Sequence, residues 1–506
     1  MSFFDTLFIT RARHDLKMGG QFTWGSDGVD GHFGENGQFT FNSDAFFDAN
    51  NPATWPFSFS QRLPGVTSYT ENYIASFVQD TWTIHPRVRL NLGLRYDINT
   101  DARNNAFYVD FLNLPQNAGL DRFVSKGNRG TDANNIQPRT GVVWDVRGDG
   151  TLVGRGGWGR YITRDKPWIQ VSNENGLTGN LVTILDPNLL KLFPDVNAVL
   201  GGKPLSQFGA AAGRQANLIG DTFEMPQMTT TTVGVGWELT GTTSLDADFV
   251  HAYGNKQQGA TDRNLPPTGA ISASNPRPVP AWGRVQVVEN YGKTWYDALE
   301  MQVRQRVRGG NSLQASYTLA RALLDGVGTE GGIRGTQRTP QEKGYNFSDT
   351  RHNLSVSASE ALPWGISFST IARVVSGGPI AVNAGVDLDG DGNTSGDRPR
   401  GLTPTVGRGN VDEQLRLINE YRASAGLAPF TRDRIKINPF KSIDLRATKS
   451  AQIGGERQLE VFIEAFNVLN FVNKTGGSGN FRLASFYLPT GALDARQVQW
   501  GARFRF

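Results

Sequence analysis

The chain has 506 residues, with 51 Lys and Arg against 47 Asp and Glu, a formal net charge of +4. Cys is absent, which removes disulfides, thiolate metal sites, iron–sulfur clusters and cysteine nucleophiles together. Charges of both signs are interleaved, so no nucleic-acid partner is expected, and no apolar stretch approaches the roughly 18 residues of a membrane helix.

Taken in order, the first ten residues have no basic segment and no long apolar core of a signal peptide. The reading is a cytoplasmic protein or an internal piece of a longer chain. A partial strand is expected at Leu7–Ile9. Alternation of period 2 then dominates, in runs near 14–25, 71–84, 87–98, 137–146, 151–162, 228–239, 243–254, 293–308, 311–322, 353–362, 365–376, 440–450, 457–469 and 497–506. The last run is the clearest: Val498, Trp500, Ala502, Phe504 and Phe506 oppose Gln497, Gln499, Gly501, Arg503 and Arg505. These make about fourteen strands, each near the ten residues that a tilted strand needs to cross a bilayer.

The polar face carries full charges. Glu300, Arg304, Arg306 and Arg308 lie opposite Leu299, Met301 and Val303. A soluble sandwich and a membrane barrel both produce this pattern. Loop lengths separate them. The connections at 85–86, 147–150, 240–242, 309–310, 363–364 and 451–456 are short, while 99–136, 163–227, 255–292, 323–350, 377–439 and 470–495 are long. One rim with tight turns and the other with long loops is the asymmetry of outer-membrane barrels. Trp82, Trp158, Trp237, Trp295, Trp364 and Trp500 sit in or beside the strands, as an interfacial belt places them.

The segments Tyr73-Ile-Ala-Ser-Phe-Val-Gln-Asp-Thr-Trp82, Leu90-Asn-Leu-Gly-Leu-Arg-Tyr-Asp97, Ser442-Ile-Asp-Leu-Arg446 and Glu464-Ala-Phe-Asn-Val-Leu-Asn470 carry a family resemblance. The chain resembles the C-terminal barrel of TonB-dependent outer-membrane receptors, specifically the Oar-like branch. The resemblance implies an all-β, transmembrane antiparallel β-barrel, 1–506 as one domain truncated at its N-terminus. It would be part of a barrel of about twenty-two strands, with short periplasmic turns and long extracellular loops. It also implies outer-membrane lipid around the wall, barrel-assembly machinery reading the strand that ends in Phe506, and the TonB system where a plug lies upstream. The signal peptide and plug of the family are expected to be missing.

The sharpest local motif is Asp387-Leu-Asp389-Gly-Asp391-Gly-Asn393 with Asp397. It fits the first half of a calcium loop, since hard Ca²⁺ takes oxygen ligands from alternate residues of a tight turn. The twelfth position is Arg398 rather than Glu, so a solvated acidic turn stays as the alternative. No other cofactor is expected. No catalytic set stands out among His14, His32, His85, His251 and His352; the last two could face a lumen, where lone lumen or rim histidines are usually polar lining. In the 377–439 loop, Asn410 is expected to cap a helix, with Glu413 at the reciprocal position and Leu415, Ile418 and Tyr421 following. The function expected is transport by a receptor barrel whose loops capture an unknown ligand. A plugless porin-like or adhesion barrel and a soluble secreted all-β binding protein are the alternatives.

Overall fold

A computed structural model describes the chain apart from residues 32–33, 42–44, 63–64, 101–102, 128, 165–180, 205–214, 307–308, 327–342, 393 and 395. Among the described residues, fifteen long strands follow one another through one large sheet. They are β1 (Ser2–Arg11), β2 (His14–Gly31), β3 (Gly65–His85), β4 (Val88–Asn99), β5 (Ile136–Asp145), β6 (Leu152–Ile162), β7 (Gln227–Thr240) and β8 (Thr243–Asp262). Then come β9 (Val285–Arg306), β10 (Ser312–Asp325), β11 (His352–Leu362), β12 (Ile366–Val375), β13 (Phe440–Gln452), β14 (Gln458–Phe466) and β15 (Gln497–Arg505). Each pairs with the next through an antiparallel ladder.

Directly opposed residues share a face of the sheet. Leu245 and Val303, Ala247 and Met301, and Phe249 and Leu299 stand opposite one another and continue into Leu319 of β10. On the other face, Ser244 meets Arg304, Asp246 meets Gln302 and Asp248 meets Glu300. The first face is apolar and exposed, with Phe249 and Leu299 48% and 37% accessible. Lipid is the medium in which such a surface is stable, which leaves the charged face for a wet lumen.

The connections alternate, seven tight turns and seven long loops. The strand count corrects the sequence reading, because β1 is a complete strand of ten residues rather than a fragment at Leu7–Ile9. Its alternation is hidden by aromatics on the polar side. Phe4 stacks on Phe77 with centroids 6.4 Å apart, and Phe8 lies under the Lys17 ammonium at 5.4 Å. Several strands also run past the expected ends, as β8 does to Asp262 and β9 from Val285. Above the bilayer neither face meets lipid, so the alternation lapses.

The long loops form a folded crown. α1 (Asn105–Asn113) places Tyr108, Phe111 and Leu112 against Ile219, Phe223 and Trp282, all buried. A second buried cluster joins α2 (Val411–Ser424), through Ile418, to Leu402, Phe430, Phe481 and Phe486. A third gathers Phe59, Val182, Ile184 and Leu190. The helix α2 begins as its sequence predicts: the Asn410 side chain accepts from the Glu413 amide at 3.2 Å. Glu413 itself turns to Arg416, with Nε–Oε2 2.7 Å, rather than back to the cap.

Candidate functional site

Two regions carry chemistry, the lumen and the crown above it. In the lumen Arg155 of β6 reaches across β7 to β8. Its Nε lies 2.7 Å from Asp248 Oδ1 and its Nη1 3.1 Å from Asp246 Oδ1. The span is open because β7 carries Gly234 between them, where a Cβ would collide with the Asp248 carboxylate. Gly154, Gly156, Gly157 and Gly159 lie within β6 and flank this luminal arginine. On β13, Arg446 bridges Glu464 at 2.8 Å and Glu460 at 3.0 Å. On β4, Arg95 pairs with Asp97 at 2.8 Å, and Tyr73 donates to Asp97 at 2.8 Å. Near the long-loop rim a cavity of about 510 Å³ is lined by Thr294, Tyr296, Glu300, Thr318 and Asn353.

The acidic loop lies in the crown, between β12 and β13. Asp387, Asp391 and Asp397 present carboxylate oxygens within 4.8 Å of one another. Asp391 and Asp397 are buried, at 4% and 6% exposure. Asp389 is beside them and accepts from the Asp391 amide at 3.1 Å. Asn393 lies outside the described residues. Burial pushes the Asp397 carboxyl up to about 6, and the negative charges of Asp389 and Asp387 push the same way. Asp387 also closes the turn, accepting from Gly390 at 2.6 Å and Gly392 at 2.8 Å. The set is all oxygen and strongly anionic, which fits a hard divalent cation. Arg398, at the position where a calcium loop carries Glu, donates to Gly396 and Leu402 carbonyls.

The neighbours of this loop were not legible in the sequence. Arg277, from the loop between β8 and β9, donates to Asp262 at 2.8 Å and to the Asp391 carbonyl at 2.9 Å. Ile271 donates to the Gly390 carbonyl at 2.9 Å. Gly390 holds φ at +77°, and a Cβ there would strike Ala270. The acidic turn is thus the seam between two long loops.

The histidine assignment is corrected. His251 pairs with Thr231 and Asp297, in the row between Phe249 and Tyr253, so it stands on the outer face. His352 is opposite Leu319 and belongs to the same face. Outer-face alternation also explains the tryptophans. Trp82, Trp237 and Trp144 lie near short turns, and Trp364 sits in one, while Trp158, Trp295 and Trp500 lie toward the long loops.

An apolar outer wall, a charged lumen and a crown on one rim define an outer-membrane β-barrel. The sequence matches the family described as outer membrane beta barrel domain over residues 1–499, and the chain belongs to it. The fold is shared with the outer membrane transporter YddB of Escherichia coli, at TM-score 0.57 and 11% identity over 99% of this chain and 53% of that one. It is shared also with the ferric enterobactin receptor PfeA of Pseudomonas aeruginosa, at TM-score 0.50 and 10% identity over 97% of this chain and 51% of that one. The chain spans about half the length of these structures. No curated protein matches it. An outer-membrane transporter and a ferric enterobactin receptor thus share its fold, and the Gram-negative outer membrane is its location. The soluble secreted alternative is thereby overturned.

Proposed function

We propose that this barrel is the transport wall of a receptor that captures a ligand with its long-loop crown and passes it through the charged lumen. The observation that carries the reading is the set of luminal ion pairs, Arg155 with Asp246 and Asp248 and Arg446 with Glu460 and Glu464. Charges that line a wet path can hand a polar solute along, and they have no use on a dry wall. Coupling to TonB rests on the resemblance, and assembly through the Phe506 strand rests on it too. The test is uptake of labelled peptides, glycans and metal chelates by cells with and without an energised TonB system. Uptake that needs the energised system supports the receptor. Equal uptake in both supports the plugless pore, and none in either favours an adhesion barrel.

We also propose that the acidic turn binds Ca²⁺ through Asp387, Asp389, Asp391 and Asp397, with Asn393 as a further oxygen ligand. Support comes from the 4.8 Å grouping of three carboxylates, two of them buried. The cation would neutralise the mutual repulsion there and hold the seam between the two loops. Isothermal titration with Ca²⁺ tests it, and an absence of binding heat together with unchanged loop proteolysis would reject it.

A further inference from the structure

Toward the long-loop rim the outer face carries a polar row that the transport path does not explain. His251, Asp297 and Arg321 stand opposite one another across β8, β9 and β10. Below them lie Phe249, Leu299 and Leu319, and above them Tyr253, Trp295 and Leu323. His251 lies eight residues past Thr243 at the short-turn end of β8 (251 − 243). At the rise and tilt of a barrel strand that is about 20 Å, near the top of an apolar band about 25 Å tall. The row is therefore at headgroup level on the long-loop side.

Among the described residues its charges do not balance. Asp297 takes His251, with Nδ1 and Oδ1 2.6 Å apart. Asp349 is wholly buried and takes Arg408 at 3.1 Å, with Arg351 at 3.9 Å. Asp325 stands opposite Lys293. Arg321 and Lys343 remain, and among the described residues neither has a carboxylate within 4 Å. Both lie on aromatic rings instead. The Arg321 guanidinium is 5.7 Å from the Tyr345 ring, which Arg351 approaches at 5.6 Å, and the Lys343 ammonium is 4.2 Å from the Trp295 ring. Cations parked on interfacial aromatics keep their charge available to an anion at the same depth.

We propose that this patch, built from Arg321, Lys343 and Arg351 around Tyr345 and Trp295, binds the phosphate of an outer-leaflet lipid. The acyl chains would lie on Phe249, Leu299 and Leu319, directly below. The two halves of the patch match the two halves of such a lipid, an anionic head and an apolar tail. A soluble anion would use only the upper half, which is why a membrane lipid is the assigned occupant.

The test uses the refolded chain in detergent, with native mass spectrometry to count retained lipid. The probes are a phosphorylated glycolipid, its dephosphorylated form, and inorganic phosphate. The protein should retain the phosphorylated form over the dephosphorylated one, and R321A with K343A should lower that retention on the order of tenfold. R321K with K343R keeps both charges and should restore it. K449A, a cation at the opposite rim, should leave retention unchanged. Equal retention of both lipids, or no loss in the double variant that still shows the heat-modifiable gel shift of a folded barrel, would overturn the site. Inorganic phosphate that displaces the lipid at stoichiometric concentration would overturn the membrane-lipid assignment. This inference concerns the outer wall, so failure of the proposed uptake leaves it standing.

Discussion

The wall and the crown are held together differently. In the wall, apolar side chains such as Leu299 and Val461 stay 37% and 44% accessible in the protein itself and rely on lipid to cover them. In the crown, Trp282 and Phe223 in one buried cluster and Phe481 in another are each 0% accessible. The wall is stabilised by continuous ladders and by the medium, the crown by buried area. A residue's importance in the wall is set by the face it takes, and in the crown by its depth.

The largest expected effect breaks the crown alone. Trp282 is wholly buried and its indole donates to the Ala118 carbonyl at 3.1 Å. Trp282→Ala should cost about 3–5 kcal/mol of local stability. Limited proteolysis should then cut the loops while the barrel keeps its heat-modifiable gel shift; loss of that shift would show that the two regions fold as one. Next comes the wall. Met301 and Glu300 are adjacent on β9 but face lipid and lumen respectively. Met301→Arg should cost about 2–4 kcal/mol near the bilayer midplane, whereas Glu300→Gln should stay within about 0.5 kcal/mol. Urea unfolding in lipid vesicles measures both, and equal costs would sink the assignment of faces.

This difference also explains what could be read in advance. Strands such as β15 announced themselves because lipid and lumen demand opposite chemistry at successive residues. β1 shows in the sequence only as a partial strand at Leu7–Ile9 because Phe4 and Phe8 are aromatic on the luminal side, where Phe77 and Lys17 receive them. The crown has no such rule. Tyr108, Ile219 and Trp282 come from three separate loops, and no local period marks them as one cluster. Arg129 is harder still: a buried guanidinium donating to the Ile219 carbonyl at 2.7 Å and lying 4.0 Å over the Tyr108 ring looks like any loop arginine in sequence. The acidic turn was visible through spacing, yet the loop it docks against was not, because Arg277 is 114 residues from Asp391.

A smaller effect separates helix from strand within the crown. Asn410 caps α2, and its removal leaves the Glu413 amide without that acceptor. Asn410→Ala should cost about 1 kcal/mol, seen as faster hydrogen exchange at the first turn of α2 with the wall amides unchanged. Slowed exchange, or a change confined to β12 and β13, would contradict the view that the crown is a separately stabilised layer.

A change of pH tests whether the crown answers to its solution as the wall answers to its lipid. Asp397 titrates near 6 in the folded loop against an ordinary 3.8, chiefly because burial disfavours its charge. The folded loop thus prefers the protonated acid, so its stability should fall as pH rises from about 4 through about 6 and level off above. Ca²⁺ favours the opposite form, so it must displace that proton and bind poorly below about pH 6. Calcium should therefore slow proteolysis between β12 and β13 at about pH 7.5 and lose that effect by about pH 5. Asp397→Asn, neutral throughout, should abolish the pH dependence and make the calcium-free loop more resistant above about pH 6. A calcium-free loop that grows more resistant as pH rises over this interval would mean that Asp397 is stabilised as the anion, and the charge balance drawn for the seam would be of the wrong sign.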